Sequence, residues 1–297
     1  MGSPLAISLG TFLLGGLKLK NILKIAFYGK GGIGKSTIAS NTATAFASKG
    51  LNVLFIGCDP KADSVKNITG KKIKPIINGI LEKGDLLSES DFLHKGFLNI
   101  ACIETGGPSP GVGCAGRGII SMVEELEKHN VFLKNWDVII FDVLGDVVCG
   151  GFAVPMREGY VDSVFIVSSG EYMSIYAANN ILKSINAFSK NREPFLGGLI
   201  YNHRQNDLEV SLIKRFAEKA KVPIISEIPF ARELIISELE HQTVIQKYPE
   251  SDIANIFLQT ADAIFCGKDK VIPNPLKENE LEELSKDYLS LISERYK

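Results

Sequence analysis

Cysteine is scarce in this chain, net charge is almost absent, and no apolar run is long. Each shortage removes a class of explanation. Five cysteines among 297 residues, with no C-x₂-C pair, cannot make a disulfide framework. Their odd number and scattered spacing fit a reducing cytoplasm. Lys and Arg number 33 against 34 Asp and Glu, a formal charge of -1, so nothing points to nucleic acid or an anionic membrane as partner. Leu5 to Gly16 is apolar, but at about a dozen residues it is too short to span a bilayer. It has the length of a signal h-region without a basic n-region or a cleavage site. Residues 1–20 are read as an N-terminal extension, disordered or mis-assigned as coding. Gly15-Gly16 could be encoded by a ribosome-binding sequence, with translation starting at Leu19 on a TTG codon; peptides from residues 5–18 in the native protein would overturn this. No internal repeat, low-complexity linker or domain boundary is visible.

What is present is ordinary globular material, 45% hydrophobic and 23% charged, with ample length for a core. Near-continuous apolar runs at Leu23–Tyr28, Val53–Gly57, Leu98–Ile103, Val138–Phe141, Val164–Ser168, Gly198–Tyr201 and Ile224–Ile228 read as parallel strands covered on both faces. Helical patterns fall between them, at Ser36–Ser48, Gly118–Glu127, Tyr172–Phe188 and Leu208–Ala220. This alternation predicts an α/β fold, a single doubly wound, mostly parallel sheet with helices on both faces. It would occupy residues 21–266, followed by a tail, 267–297, holding Val-Ile-Pro-Asn-Pro and the acidic amphipathic stretch Glu278–Ile292.

Gly29-Lys-Gly-Gly-Ile-Gly34-Lys35-Ser36 follows a predicted strand and opens a predicted helix, the context that distinguishes a phosphate loop from an ordinary glycine turn. Glycines let backbone N–H groups converge on phosphate oxygens, and the helix N-terminus adds positive potential. Lys35 is expected on the β- and γ-phosphates and the Ser36 hydroxyl on Mg²⁺. Two further strand ends bear acids, Gly57-Cys-Asp59-Pro-Lys61-Ala-Asp63 and Asp142-Val-Leu-Gly145-Asp146. Acids there organise magnesium and the attacking water, and such segments rearrange when the γ-phosphate leaves. The N–H of Gly145 is expected to sense that phosphate. The early lysine, Lys30, makes the loop resemble the deviant Walker A type of MinD- and ParA-like ATPases, in which this lysine reaches the partner subunit's nucleotide.

Cys114, in Gly-Val-Gly-Cys-Ala-Gly-Arg-Gly, and Cys149, in Asp-Val-Val-Cys-Gly-Gly, lie in glycine-rich loops after predicted strands. A cluster needs about four thiolates, so two per chain suffice where two chains share it on a two-fold axis. Spacing alone leaves two unrelated structural cysteines equally open. Cys58, Cys102 and Cys266 are expected to be small core hydrophobes.

Gly-Lys-Gly-Gly-Ile-Gly-Lys-Ser, Gly-Cys-Asp-Pro-Lys-Ala-Asp-Ser, both cysteine segments, Ser169–Asn180 and the Pro-Asn-Pro tail together closely resemble the nitrogenase iron protein family, from about Lys24 to Leu284. The resemblance implies a cytoplasmic homodimer with one [4Fe–4S] cluster between subunits, held by Cys114 and Cys149 of each. It implies MgATP bound by Gly29, Lys30, Gly31, Gly32, Ile33, Gly34, Lys35, Ser36 and Thr37, with Lys61 near the nucleotide. Asp59 and Asp63 fall in the first switch. Asp142 and Asp146 serve magnesium, water and the link to the cluster, and Asn202 contacts adenine. Lys30, Asp59 and Asp146 carry hydrolysis. Arg117 matches an arginine that faces the docking partner and is ADP-ribosylated in some members. ATP hydrolysis would drive one electron to a nitrogenase or nitrogenase-like catalytic component, with a ferredoxin or flavodoxin as donor.

Departures bear on the partner. Pro229-Phe230-Ala231-Arg232 stands where the family has Pro-Arg-Asp, Asp63-Ser-Val-Lys-Asn-Ile-Thr-Gly70 replaces Asp-Ser-Thr-Arg-Leu, and Tyr201 and His203 flank Asn202. The altered base pocket leans towards a reductase for a tetrapyrrole or organic sulfur substrate, and the tail leans towards nitrogenase. A different class, a MinD/ParA-like ATPase without redox work, calls for a basic surface or a membrane-binding helix. Neither is evident, and the acidic tail is a poor anchor.

Overall fold

A computed structural model describes residues 12–14, 17–19, 22–107, 115–145, 153–157, 159–189, 195–204, 208–267 and 270–295. Near the N-terminus, β1 (Phe12–Leu14) pairs antiparallel with β2 (Leu17–Leu19) in a two-stranded ribbon separate from the main sheet. The main sheet has eight strands: β3 (Leu23–Tyr28), β4 (Val53–Gly57), β5 (His94–Lys95), β6 (Ala101–Glu104), β7 (Val138–Asp142), β8 (Ser163–Ser168), β9 (Leu196–Asn202) and β10 (Ile224–Ile228). Their spatial order is β10-β9-β8-β3-β7-β4-β6-β5, parallel except at the β5 edge.

Alternate residues of each strand point to opposite faces, and here both faces are apolar. Ala26, Tyr28, Leu54, Ile56, Ile139 and Phe141 enter one buried cluster. Ile25, Phe27, Val53, Phe55, Val138 and Ile140 enter the other. The second is roofed by α1 (Lys35–Ser48) and α10 (Asp252–Cys266), through Ile38, Phe46, Phe257 and Ile264. The first is roofed by α4 (Ala115–Lys128), α6 (Tyr172–Ser189) and α7 (Leu208–Lys219), through Met122, Leu182 and Phe216. The doubly wound α/β architecture is therefore the observed one. The tail packs against the same face: Leu276, Leu281 and Leu284 are buried in the first cluster, and the terminal helix (Glu278–Arg295) lies on α7. Asn179 fastens the tail twice, donating to the Leu276 carbonyl at 2.9 Å and accepting from its N–H at 2.8 Å.

One strand starts later than its apolar run predicts. Leu98 and Asn99 adopt left-handed backbone at φ 53° and 60°, which a strand cannot contain, so a 3₁₀ turn precedes β6. Among the described residues no helix is long and apolar enough to cross a membrane. The C-terminal ends of β3, β4, β6 and β7 lie side by side, and each delivers a polar segment to one edge of the sheet, where ligands of such folds bind.

Candidate functional site

The loop leaving β3 turns into α1 through Gly32 and Gly34, at φ 74° and 88°, values that favour glycine. No side chain caps the helix, and its first turn holds no acid. Its unclaimed N–H groups make a site for an anion. Lys30, Gly31, Gly32, Gly34, Lys35, Ser36 and Thr37 line a cleft of about 720 Å³, with Asp59, Lys61 and Asp63 on the opposite wall. Ile33 contributes only backbone, since its side chain is buried in the core. Gly29 lies beneath, against the carbonyl of Val167.

Behind the cleft, the Lys35 ammonium is bonded to a carboxylate oxygen of Asp142, both groups being buried. The other Asp142 oxygen has no hydrogen-bond partner among the described residues. A buried carboxylate oxygen left unpaired beside a phosphate loop is suited to water or a hydrated cation. The two acid-bearing strand-end segments are tied together here, because the Cys58 N–H donates to the Asp142 carbonyl at 2.9 Å. The first turns tightly: Asp59 accepts from the Lys61 N–H at 2.9 Å, and Ala62 is left-handed at φ 51°. In the second, Gly145 approaches Gly29 so closely that an added Cβ would stand 2.5 Å from the Gly29 nitrogen.

A smaller recess of about 100 Å³ adjoins the loop between Thr37, Asn202, Phe230 and Leu234. Asn202 donates its amide to the Ile33 carbonyl at 2.7 Å, which leaves its carbonyl oxygen to accept from a base. Three residues that matter here are absent from the sequence reading. Arg204 donates to the Gly32 carbonyl at 2.7 Å. Glu238 accepts from the Thr37 hydroxyl at 3.1 Å and lines both cavities. Glu104, at the end of β6, is fully buried and accepts from the Val65 N–H at 2.7 Å. Burial pushes its carboxyl up to about 8, with Asp142, Asp63 and Asp59 adding to the rise and the Val65 bond opposing it. Glu104 was within reach of the rule that flagged Asp142, an acid ending a strand. Glu238 and Arg204 carry no such signal.

Cys114, Cys149 and Asp146 lie outside the described residues. Arg117 stands exposed in the first turn of α4. Cys58 and Cys102 are buried, a poor setting for cluster ligands. Burial pushes the Cys58 thiol up to about 12 and holds that of Cys102 well above the usual range. Cys266 departs from the expectation of a core residue: it is exposed at the end of α10, where the helix runs out of the sheet's cover. Among the described residues no three His, Cys, Asp or Glu are grouped to hold a metal ion.

Sheet order, glycine loop and paired acids define a P-loop NTPase of the MinD/ParA-like fold. Solved structures agree on the fold. MinD of Aquifex aeolicus superposes with a TM-score of 0.58 at 22% identity, covering 86% of this chain and 100% of that one. A ParA family ATPase from Chlorobium tepidum TLS gives 0.63 at 21%, covering 80% and 98%. Residues 23–291 match the family described as 4Fe-4S iron sulfur cluster binding proteins, NifH/frxC family, and the chain belongs to it. It is 48% identical over 265 residues to nitrogenase iron protein 2 of Methanobacterium ivanovii, covering 89% of this chain and 98% of that protein. It is 42% identical over 276 residues to the nitrogenase iron protein of Methanococcus voltae, covering 92% and 99%.

Proposed function

We propose that this chain is the ATP-hydrolysing reductase component of a nitrogenase-type system, a cytoplasmic homodimer that couples MgATP hydrolysis to one-electron transfer. The observation that carries the reading is a phosphate cleft in a chain of a 4Fe–4S-binding family whose sequence holds two glycine-flanked cysteines, Cys114 and Cys149. Ser36 and the unpaired oxygen of Asp142 would hold Mg²⁺. Lys35 would turn from Asp142 to the phosphates, and Lys61 would approach them from the opposite wall. Gly29 to Thr37 supply the N–H cradle. Asn202 would accept from the adenine amino group, and Glu238, between the two cavities, stands where a ribose would join base to phosphates. Asp59 and Asp146 would order the attacking water, while Lys30 would complete the partner subunit's site. Asp63 belongs to the moving first switch. Cys114 and Cys149 from both subunits would hold one [4Fe–4S] cluster, which when bound supplies a low-potential electron. Arg117 would face the catalytic partner, and a ferredoxin or flavodoxin would restore the electron.

A second partner reading has its own support. Phe230 and Ala231 give the base recess an apolar wall where the family pattern carries an arginine and an acid, which favours a nitrogenase-like component acting on a tetrapyrrole or an organic sulfur compound. Both readings share one test. Protein purified anaerobically is expected to hold about four irons per dimer and, after dithionite reduction, to give an EPR signal that changes with MgATP. Iron-free protein after anaerobic reconstitution would sink both and leave a non-redox MinD/ParA-like ATPase.

A further inference from the structure

Glu104 is an expensive residue to keep where it is. Its side chain is fully buried, and one oxygen is spent on the Val65 N–H at 2.7 Å. The other has no hydrogen-bond partner among the described residues. Such a group costs stability unless it does something a leucine cannot. Its surroundings say what that is. Val65 closes the first switch, two residues beyond Asp63. Gly57, where β4 hands over to that switch, is paired with Glu104 across the sheet. A Cβ added at Gly57 would lie 2.3 Å from the free Glu104 oxygen and 2.6 Å from the Ser64 Cβ. The chain thus keeps a glycine at the one place where a side chain would displace the carboxyl from under the switch. The strand ends are stitched further by the Thr105 N–H, which donates to the Gly57 carbonyl at 2.8 Å.

We propose that Glu104 is a positioning residue for ATP hydrolysis: its bond to the Val65 N–H pins the first switch so that Asp59 and Asp63 face the phosphates. The proposal rests on the reading of the cleft as a MgATP site. Glu104 is not among the residues that line the cleft and acts through the backbone it holds. It also adds a fourth acid to the group formed with Asp59, Asp63 and Asp142. Glutamine has nearly the same shape as this buried carboxyl and can still accept from the Val65 N–H, so it is the close replacement.

The experiment uses the anaerobically purified homodimer and compares wild type, E104Q, E104A and G57A. Three quantities are read: MgATP affinity by calorimetry, kcat and KM for hydrolysis, and amide exchange of the segment 58–68 with and without MgATP. E104A is expected to lower kcat about tenfold or more while KM moves less than about threefold, the pattern of lost transition-state alignment, and to speed exchange in 58–68. E104Q should recover most of that rate and the protection. G57A keeps the carboxyl but crowds it, and should shift kcat and exchange in the same direction, which keeps the test open if E104A does not fold. Wild-type kcat and exchange in a folded E104A, or in G57A, overturn the proposal. So does an E104Q that falls as far as E104A. No MgATP binding by wild type removes the nucleotide reading itself, whereas normal binding with indifferent variants removes only the role of Glu104.

Discussion

Lys35 and Asp142 show how one residue pair can be a burden before ligand arrives and an asset afterwards. Both are buried, and taking two charges out of water costs more than a lone ion pair commonly returns. Asp59, itself buried, and Asp63 line the same cleft, so the acids gathered there outnumber the one buried lysine. A magnesium ion would relieve that excess, and phosphates would then draw Lys35 forward. Stability and nucleotide binding are therefore separable at this pair. Lys35→Ala leaves Asp142 buried without its cation and should cost about 3–5 kcal/mol, measured by denaturant unfolding, along with MgATP binding. Adding Asp142→Asn to Lys35→Ala removes the stranded charge and should return most of the stability but none of the binding. A Lys35→Ala protein as stable as wild type would show that the pair is not held as described.

At the scale of elements, the start of α1 reverses the usual preference. In a helix alanine is favoured over glycine by about 1 kcal/mol, yet Gly34 sits at φ 88°, and a Cβ there would meet the Asn202 amide nitrogen at 2.6 Å. Gly34→Ala is expected to push Asn202 off the Ile33 carbonyl and to weaken ATP binding about tenfold or more, with a stability loss of only about 1–2 kcal/mol. Calorimetric titration with MgATP reads this directly, and wild-type affinity would refute it. The same helix shows what the sequence made legible. β3 and β4 lie where their apolar runs place them, because a strand covered on both faces leaves a continuous signal. The phosphate loop was readable because its chemistry is local, nine consecutive residues at one strand–helix junction. Leu98 was misread as strand because apolar composition does not report a positive φ. The base recess was largely hidden, since it joins α1 to the ends of β9 and β10. Thr37 and Glu238 meet across 201 residues of chain, and nothing in the spacing of either announces the other. Glu104 differs: an acid ending a strand is legible by the rule that picks out Asp142, and only its complete burial needs the fold.

For the whole molecule, the decisive feature is that one chain carries an incomplete machine. Cys114 and Cys149 give two thiolates where a cluster needs about four. Lys30 stands half-buried in the wall of an open cleft, while on the proposed reading Lys35 would serve this chain's own phosphates. Completion by a second copy on a two-fold axis answers both shortages at once. It would also put cluster and nucleotides on the same interface, so that closing one would alter the other. This makes a prediction that neither subunit can satisfy alone. Lys30→Ala homodimers should bind MgATP near normally and hydrolyse it slowly. Lys35→Ala homodimers should fail to bind it. Co-expressed with different affinity tags and purified as the mixed dimer, the two variants should regain about half of the wild-type hydrolysis rate, by the logic of a catalytic cation supplied in trans. The reason is geometric: the Lys30→Ala subunit keeps a working phosphate loop, and its Lys35→Ala neighbour supplies the intact Lys30. Were Lys30 to act on its own subunit's nucleotide, the mixed dimer would contain no complete site, and its rate would stay at the level of the separate variants. A mixed dimer with full iron and no recovered hydrolysis would exclude the shared site while leaving the shared cluster standing.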